Sequence, residues 1–180
     1  MGSELCIRDR GSSGKGGTVS LIADLNNPDS TTQVDGTISA RGGDLGGDGG
    51  FVETSGGRVK IGDATRLDTR APQGKTGKWL LDPVDFTIAS SGGDITGTVL
   101  GAALGLADVT IDATGSSISC AGATCGMGSG TNGDIFVNDA VTWSAINTLT
   151  LNAYNNININ SSLTASGASV SYTHLTLPTN

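Results

Sequence analysis

The chain has 180 residues, of which 29 are glycine, and a formal net charge of −7. Its hydrophobic content of 36% is too high for a disordered chain, although only 4% of the residues are aromatic. Residues 79–169 contain no Lys or Arg. We therefore expect neither a nucleic-acid partner nor insertion into a membrane, because the first needs cations and the second a long apolar segment.

Short β-strands are predicted along the whole chain, because apolar and polar residues alternate in brief runs between turn-forming residues. One run is residues 50–55, GFVETS, which the doublet Gly56-Gly57 separates from RVKIG at 58–62. The predicted strands are residues 18–23, 35–40, 50–55, 58–62, 65–71, 78–89, 108–114, 116–120, 134–139, 148–153, 156–160 and 162–167. Residues 99–106, VLGAALGL, are the one candidate for a helical turn.

The shortness and spacing of these strands favour an all-β parallel β-helix from about residue 18 to residue 167. We expect three strands and about 20 residues per turn, in seven or eight turns. Residues 100–105 or 122–133 are expected to leave this path. Small aliphatic side chains should point inward, namely Val52, Val59, Ile61 and Leu67. Asparagine side chains should stack at the corners and hydrogen-bond between turns; the candidates are Asn138, Asn152, Asn155, Asn156, Asn158 and Asn160.

Two sequence blocks resemble a known family. GGFVETSG at 49–56 and WLLDP at 79–83, followed by DFTI at 85–88, are similar to the haemagglutinin-type exoproteins of Gram-negative two-partner secretion. GDIFVNDAVTWSAINTLTLNAYNNINI at 133–159 resembles a later repeat of the same family. The resemblance implies a right-handed parallel β-helix, export through an outer-membrane pore, and a place on the cell surface. It also implies adhesion or a related surface role, and the partner we expect for an adhesive segment is a host-cell glycan or protein receptor.

The two ends differ in origin from the rest. VSYTHLTLPTN, which begins at Val170, and CIRDR at 6–10 back-translate into sequences that resemble a DNA-sequencing adapter. We therefore expect residues 1–10 and 170–180 to be adapter artefacts and residues 11–169 to be the natural β-helix segment. On this interpretation the secretion domain that the export pore recognises is missing.

Few residues are candidates for chemistry, and we expect no catalytic, cofactor or metal site. Cys120 and Cys125 lie close in sequence, and two interpretations stay open: a small-loop disulfide, or two free thiols. Asp44 and Asp48 in a glycine-rich loop are the weak alternative of a calcium site. Asn160 begins the N-x-S sequence at 160–162, so it is either a glycosylation site or a turn residue.

The roles of a few carboxylates and aromatic side chains distinguish the hypothesis of an enzyme from that of a structural segment. Asp82, Asp85 and Asp94 are the carboxylates that a polysaccharide-cleaving β-helix would use. Trp79 and Phe86 flank Leu80, Leu81 and Val84, and we expect this aromatic block to be structural and to mark either a change in cross-section or a side cap.

The sequence therefore predicts a non-enzymatic stem or adhesive segment of a large secreted surface protein. The alternatives are the stalk of a contact-dependent toxin and a polysaccharide-active enzyme.

Overall fold

The computed structural model describes residues 5–6, 12–25, 27–114, 133–167 and 170–174, the first and last of these as backbone only. Within them the chain is mostly β-strand, and the strands are short. The elements are β1 Leu5–Cys6, β2 Thr18–Ile22, β3 Thr31–Val34, β4 Thr37–Ser39, β5 Phe51–Ser55, β6 Arg58–Ile61, β7 Arg66–Asp68, β8 Lys78–Asp82, β9 Phe86–Ile88, α1 Gly97–Leu104, β10 Asp108–Ala113, β11 Ile135–Val137, β12 Val141–Trp143, β13 Leu149–Ala153, β14 Ile157–Ile159, β15 Leu163–Ala165 and β16 Val170–His174.

Every strand-to-strand ladder is parallel, and the largest sheet, here called the central sheet, has six strands. Its order is β16-β13-β10-β8-β5-β2. Smaller sheets join β1, β4 and β7, then β3 and β6, then β9, β11 and β14, and finally β12 and β15. From β2 onwards every third element lies in the central sheet. The two elements between belong to the smaller sheets, except α1.

Strand pairing brings apolar side chains into columns that run across the central sheet. Val19 pairs with Val52, Val52 with Trp79, Trp79 with Val109 and Val109 with Leu149. All five side chains are buried in the single hydrophobic core. Alternation along each strand produces this result, because successive side chains of a strand point to opposite faces.

The predicted strands lie close to observed ones wherever the structure describes them. The inward positions Val52, Val59, Ile61 and Leu67 are all buried, as expected. The segment 78–89 contains two strands rather than one, since Pro83 interrupts it between β8 and β9. Strands β1, β3, β12 and β16 were not predicted, and β1 and β16 lie in the two ends that we expected to be adapter artefacts. The predicted strand at 116–120 lies outside the described residues.

The expected number of turns is wrong. The chain returns to the central sheet at intervals of between about 20 and 40 residues, not every 20, so the described strands there number six. Long excursions account for the difference. One of them is the glycine-rich loop at 42–50, and another contains α1, in the first of the two places where we expected the chain to leave its path.

Candidate functional site

The aromatic block lies in the core rather than on the surface. Trp79 and Phe86 are both fully buried, and the Trp79 indole Nε1 donates a hydrogen bond to Thr54 Oγ1 at 3.1 Å. Trp79 also lines a small apolar crevice beside α1, together with Leu67, Val99 and Ala103. Such a site can stabilise the junction of helix and sheet, but its indole is not available for stacking on a sugar.

A different group of side chains, polar rather than apolar, lies near the carboxyl ends of the central strands. At the carboxyl ends of the strands, Asp82 lies beside Ser55 of β5, and Asp112 lies beside Asn152 of β13. In β8 and β10 the register pairs Leu81 with Ile111, so the next residues, Asp82 and Asp112, are neighbours as well. We call Glu53, Asp82 and Asp112 the carboxylate strip.

Glu53 and Asp112 have hydrogen-bond donors nearby. Ser55 Oγ donates to Glu53 Oε1 at 3.0 Å. Asp112 accepts from the backbone N–H of Thr114 at 3.0 Å and from Asn152 Nδ2 at 3.2 Å. Asp82 is half-buried, and burial, followed by the charges of Asp112 and Glu53, raises its pKa to about 6. The strip can therefore take up a proton in mild acid.

The three carboxylates considered for catalysis do not form one site. Burial raises the pKa of Asp85, although its Oδ1 accepts the backbone N–H groups of Gly133 and Asp134 at 2.8 and 2.9 Å. Asp94 forms an ion pair with Lys60 at 2.7 Å, and it also accepts the N–H of Thr87 at 2.7 Å. Asp82 belongs to the carboxylate strip instead. Each of the other two thus has a structural use in joining one segment to the next.

Side chains at the corners connect neighbouring strands, as expected for asparagine. Asn160 Nδ2 donates to Asn138 Oδ1 at 2.8 Å, which is the predicted asparagine-to-asparagine bond. Asn155 and Asn156 donate to Asp134 instead. The corner positions predicted for Asn152 and Asn158 are wrong, because these residues lie inside β13 and β14, and Asn152 donates to Asp112. The buried Asp134 accepts both side-chain amides of Asn155 and Asn156 and the backbone N–H of Asn156. The sequence pattern did not indicate these aspartate acceptors, because only the register shows which residues are neighbours.

The remaining candidates have simple positions. Asp48 Oδ1 accepts the backbone N–H of Lys75 at 2.9 Å, and Asp44 is exposed. The described residues contain no group of three or more His, Cys, Asp or Glu arranged to hold a metal ion. Cys120 and Cys125 lie outside the described residues, so the choice between a disulfide and free thiols stays open. In the part of the chain that the structure covers, no helix is long and apolar enough to cross a membrane.

Comparison with known proteins finds no matching family model, no similar curated protein and no similar solved structure.

Proposed function

We propose that residues 11–169 form a right-handed parallel β-helix that serves as a non-enzymatic stem or adhesive segment of a large secreted protein of the filamentous haemagglutinin type. The observation that carries the proposal is the threefold repetition of the chain path. Triplets β2-β3-β4, β5-β6-β7, β10-β11-β12 and β13-β14-β15 each begin in the central sheet, and all their ladders are parallel. A coil of three strands per turn gives this pattern.

The positions of the two family-like blocks support the same proposal. GGFVETSG includes β5, and WLLDP includes most of β8. These strands pair directly, with Val52 beside Trp79 and Thr54 beside Leu81. The two most specific parts of the resemblance therefore pack against each other. A stem whose successive turns must stack would require such matching blocks.

A structural role also fits the use of the polar side chains. Asp85 and Asp134 bind backbone N–H groups of neighbouring strands, and Asp94 pairs with Lys60. Such contacts hold turns together but leave the carboxylates little freedom for acid–base chemistry. The proposed partners are the outer-membrane export pore, acting through a secretion domain of the two-partner type, and a host-cell glycan or protein. The proposed location is the surface of a Gram-negative bacterium.

An export experiment tests the first half of this proposal. The chain is fused behind a secretion domain of the two-partner type and expressed with the matching pore, and its exposure on intact cells is measured by added protease. We expect surface exposure, since a β-helix can fold as it emerges. Retention in the periplasm under conditions that export the domain's own passenger would contradict the proposal.

A binding experiment then separates an adhesive segment from a plain stem and from an enzyme. Beads coated with the 180-residue chain are incubated with cultured epithelial cells, and beads with an unrelated protein of similar net charge are the control. Specific attachment would identify an adhesive segment, and no attachment a stem. Release of reducing sugar from polysaccharides would contradict the non-enzymatic proposal. The complete gene would identify a toxin stalk.

A further inference from the structure

The bond between Asp82 and Pro83 is chemically unusual. The chain has 4 prolines, and Pro83 is the one that follows an aspartate. An aspartyl–prolyl bond is hydrolysed in acid more readily than other peptide bonds for two reasons. The aspartate side chain can reach its own carbonyl carbon in a five-membered ring, and the proline nitrogen is a comparatively basic leaving group.

The surroundings of this bond favour the reaction. The Asp82 carbonyl oxygen, at the end of β8, accepts the backbone N–H of Gly56 at 3.2 Å. That donor can stabilise the negative charge that develops on this oxygen when the carbonyl carbon is attacked. Pro83 is buried, whereas the Asp82 side chain is half-exposed and open to water.

Among the residues that the structure describes, the groups that act on Asp82 are acidic or neutral. Glu53 of β5 and Asp112 of β10 act on it electrostatically, and Ser55 is its partner in β5. No Lys or Arg occurs between residues 79 and 169. The side chain is therefore neutral at a pH at which an exposed aspartate is ionised.

We propose that the Asp82–Pro83 bond is a self-cleavage site, which the folded central sheet makes reactive in mild acid. In the first step the neutral Asp82 carboxyl attacks its own backbone carbonyl carbon and forms a cyclic anhydride. The C–N bond to Pro83 breaks, and the carboxyl proton passes to the proline nitrogen, which leaves as a free amino terminus. In the second step one water opens the anhydride to a C-terminal aspartate. Overall, the peptide and one water molecule give two fragments, and no other reactant is consumed.

The pH at which the reaction should run follows from the neutral fraction of Asp82. With a pKa of about 6, about three quarters of the Asp82 carboxyls are neutral at pH 5.5. In the unfolded chain, with an ordinary aspartate pKa of about 3.9, only about one fortieth is neutral. Folding should therefore accelerate cleavage about thirtyfold at this pH.

The cut would not release either part at once. It lies between β8 and β9, and β8 stays paired with β5 on one side and β10 on the other. Cleavage must therefore be measured after denaturation.

The test is incubation of the whole chain at 37 °C and pH 5.5 with protease inhibitors, followed by denaturing mass spectrometry. We expect fragments 1–82 and 83–180, at a rate independent of protein concentration and about thirtyfold higher than in 6 M guanidinium at the same pH. Asp82→Ala should abolish the fragments. Asp112→Asn should shift the pH–rate profile to lower pH, which a merely structural change would not do.

Three results would overturn the proposal. They are fragments no more abundant than in Asp82→Ala, equal rates in folded and unfolded chain, and an unchanged pH–rate profile in Asp112→Asn. Circular dichroism of each variant shows whether it is folded during the assay.

Discussion

At the scale of single residues, Trp79 is the largest fully buried side chain in the described part of the chain, and it makes one specific hydrogen bond. Its side chain is fully buried, and its indole bonds to Thr54. Truncation to Ala would leave a large cavity and an unpaired hydroxyl in the core. We expect Trp79→Ala to lower the free energy of unfolding by roughly 3–5 kcal/mol, as measured by chemical denaturation.

Tyr154→Ala is the matched control, because this aromatic side chain is 47% exposed. Its substitution should change stability by less than about 0.5 kcal/mol. If Trp79→Ala kept full stability and lost binding to host glycans, the structural role proposed for the aromatic block would be wrong.

Asp82 gives a second prediction at this scale, with a definite sign. Its pKa in the folded chain is about 6, above the value of about 3.9 expected when unfolded. The folded state therefore binds the extra proton between these values. The stabilisation that results is complete below about pH 4 and is lost as the pH rises through about 6.

We therefore expect Asp82→Asn to stabilise the protein at pH 7. The shift of about two pKa units would correspond to about 3 kcal/mol, which half-exposure reduces to about 1 kcal/mol. At pH 4 the gain should vanish. Thermal unfolding at both pH values measures it, with the exposed Asp44→Asn as control. Equal effects of Asp82→Asn at the two pH values would contradict the prediction.

At the scale of elements, α1 stands where the third strand of its triplet would be. It follows β8 and β9, and it packs against β7 before it and β12 after it. Close packing on β12 requires glycine. A Cβ at Gly97 would lie 2.1 Å from the Ala140 carbonyl oxygen, and one at Gly101 would lie 2.5 Å from that of Thr142.

This geometry predicts a change in stability of the opposite sign to the one that helix propensity predicts. Alanine is favoured over glycine within a helix by about 1 kcal/mol, yet Gly101→Ala should destabilise the protein, because the methyl group would displace the β12 backbone. Gly105→Ala is the control, since its methyl group would meet nothing closer than 3.1 Å. The free energy of unfolding of each variant is measured by chemical denaturation. A stabilised Gly101→Ala variant would contradict the prediction and show that α1 can move away from β12.

At the scale of the whole molecule, the strand order predicts that the protection of backbone amides from hydrogen exchange should vary across the central sheet. In the central sheet β8 and β10 have partners on both sides, whereas β2 is the last strand in the sheet order. In a stack whose layers contact only their neighbours, a terminal layer opens most easily. We expect amides of β8 and β10 to exchange at least tenfold more slowly than those of β2, as measured by hydrogen-exchange mass spectrometry. Uniform exchange along the sheet would contradict a layered architecture.

Much of the fold was predictable because alternation is a local property. Period-2 patterns located most strands and the inward positions such as Val52 and Leu67, and the glycine doublets located turns. The strand β3 was missed because TTQV contains a single aliphatic residue, Val34, and β12 was missed because VTW shows only one alternation. The glycines at 99–106 made a helix there less expected from the sequence. In the structure, Gly101 has no side chain that would keep the helix away from β12.

Local patterns in the sequence are enough to show that the chain is built of short strands, which residues face inward, and that the second half lacks basic side chains. These properties depend on neighbours along the chain. Which polar groups meet follows from the three-dimensional arrangement of the strands. The carboxylate strip unites Glu53, Asp82 and Asp112 from three strands, and Asp134 meets Asn155 and Asn156 across a turn. Those contacts depend on parallel register and on the lengths of the excursions between strands, which no local pattern encodes.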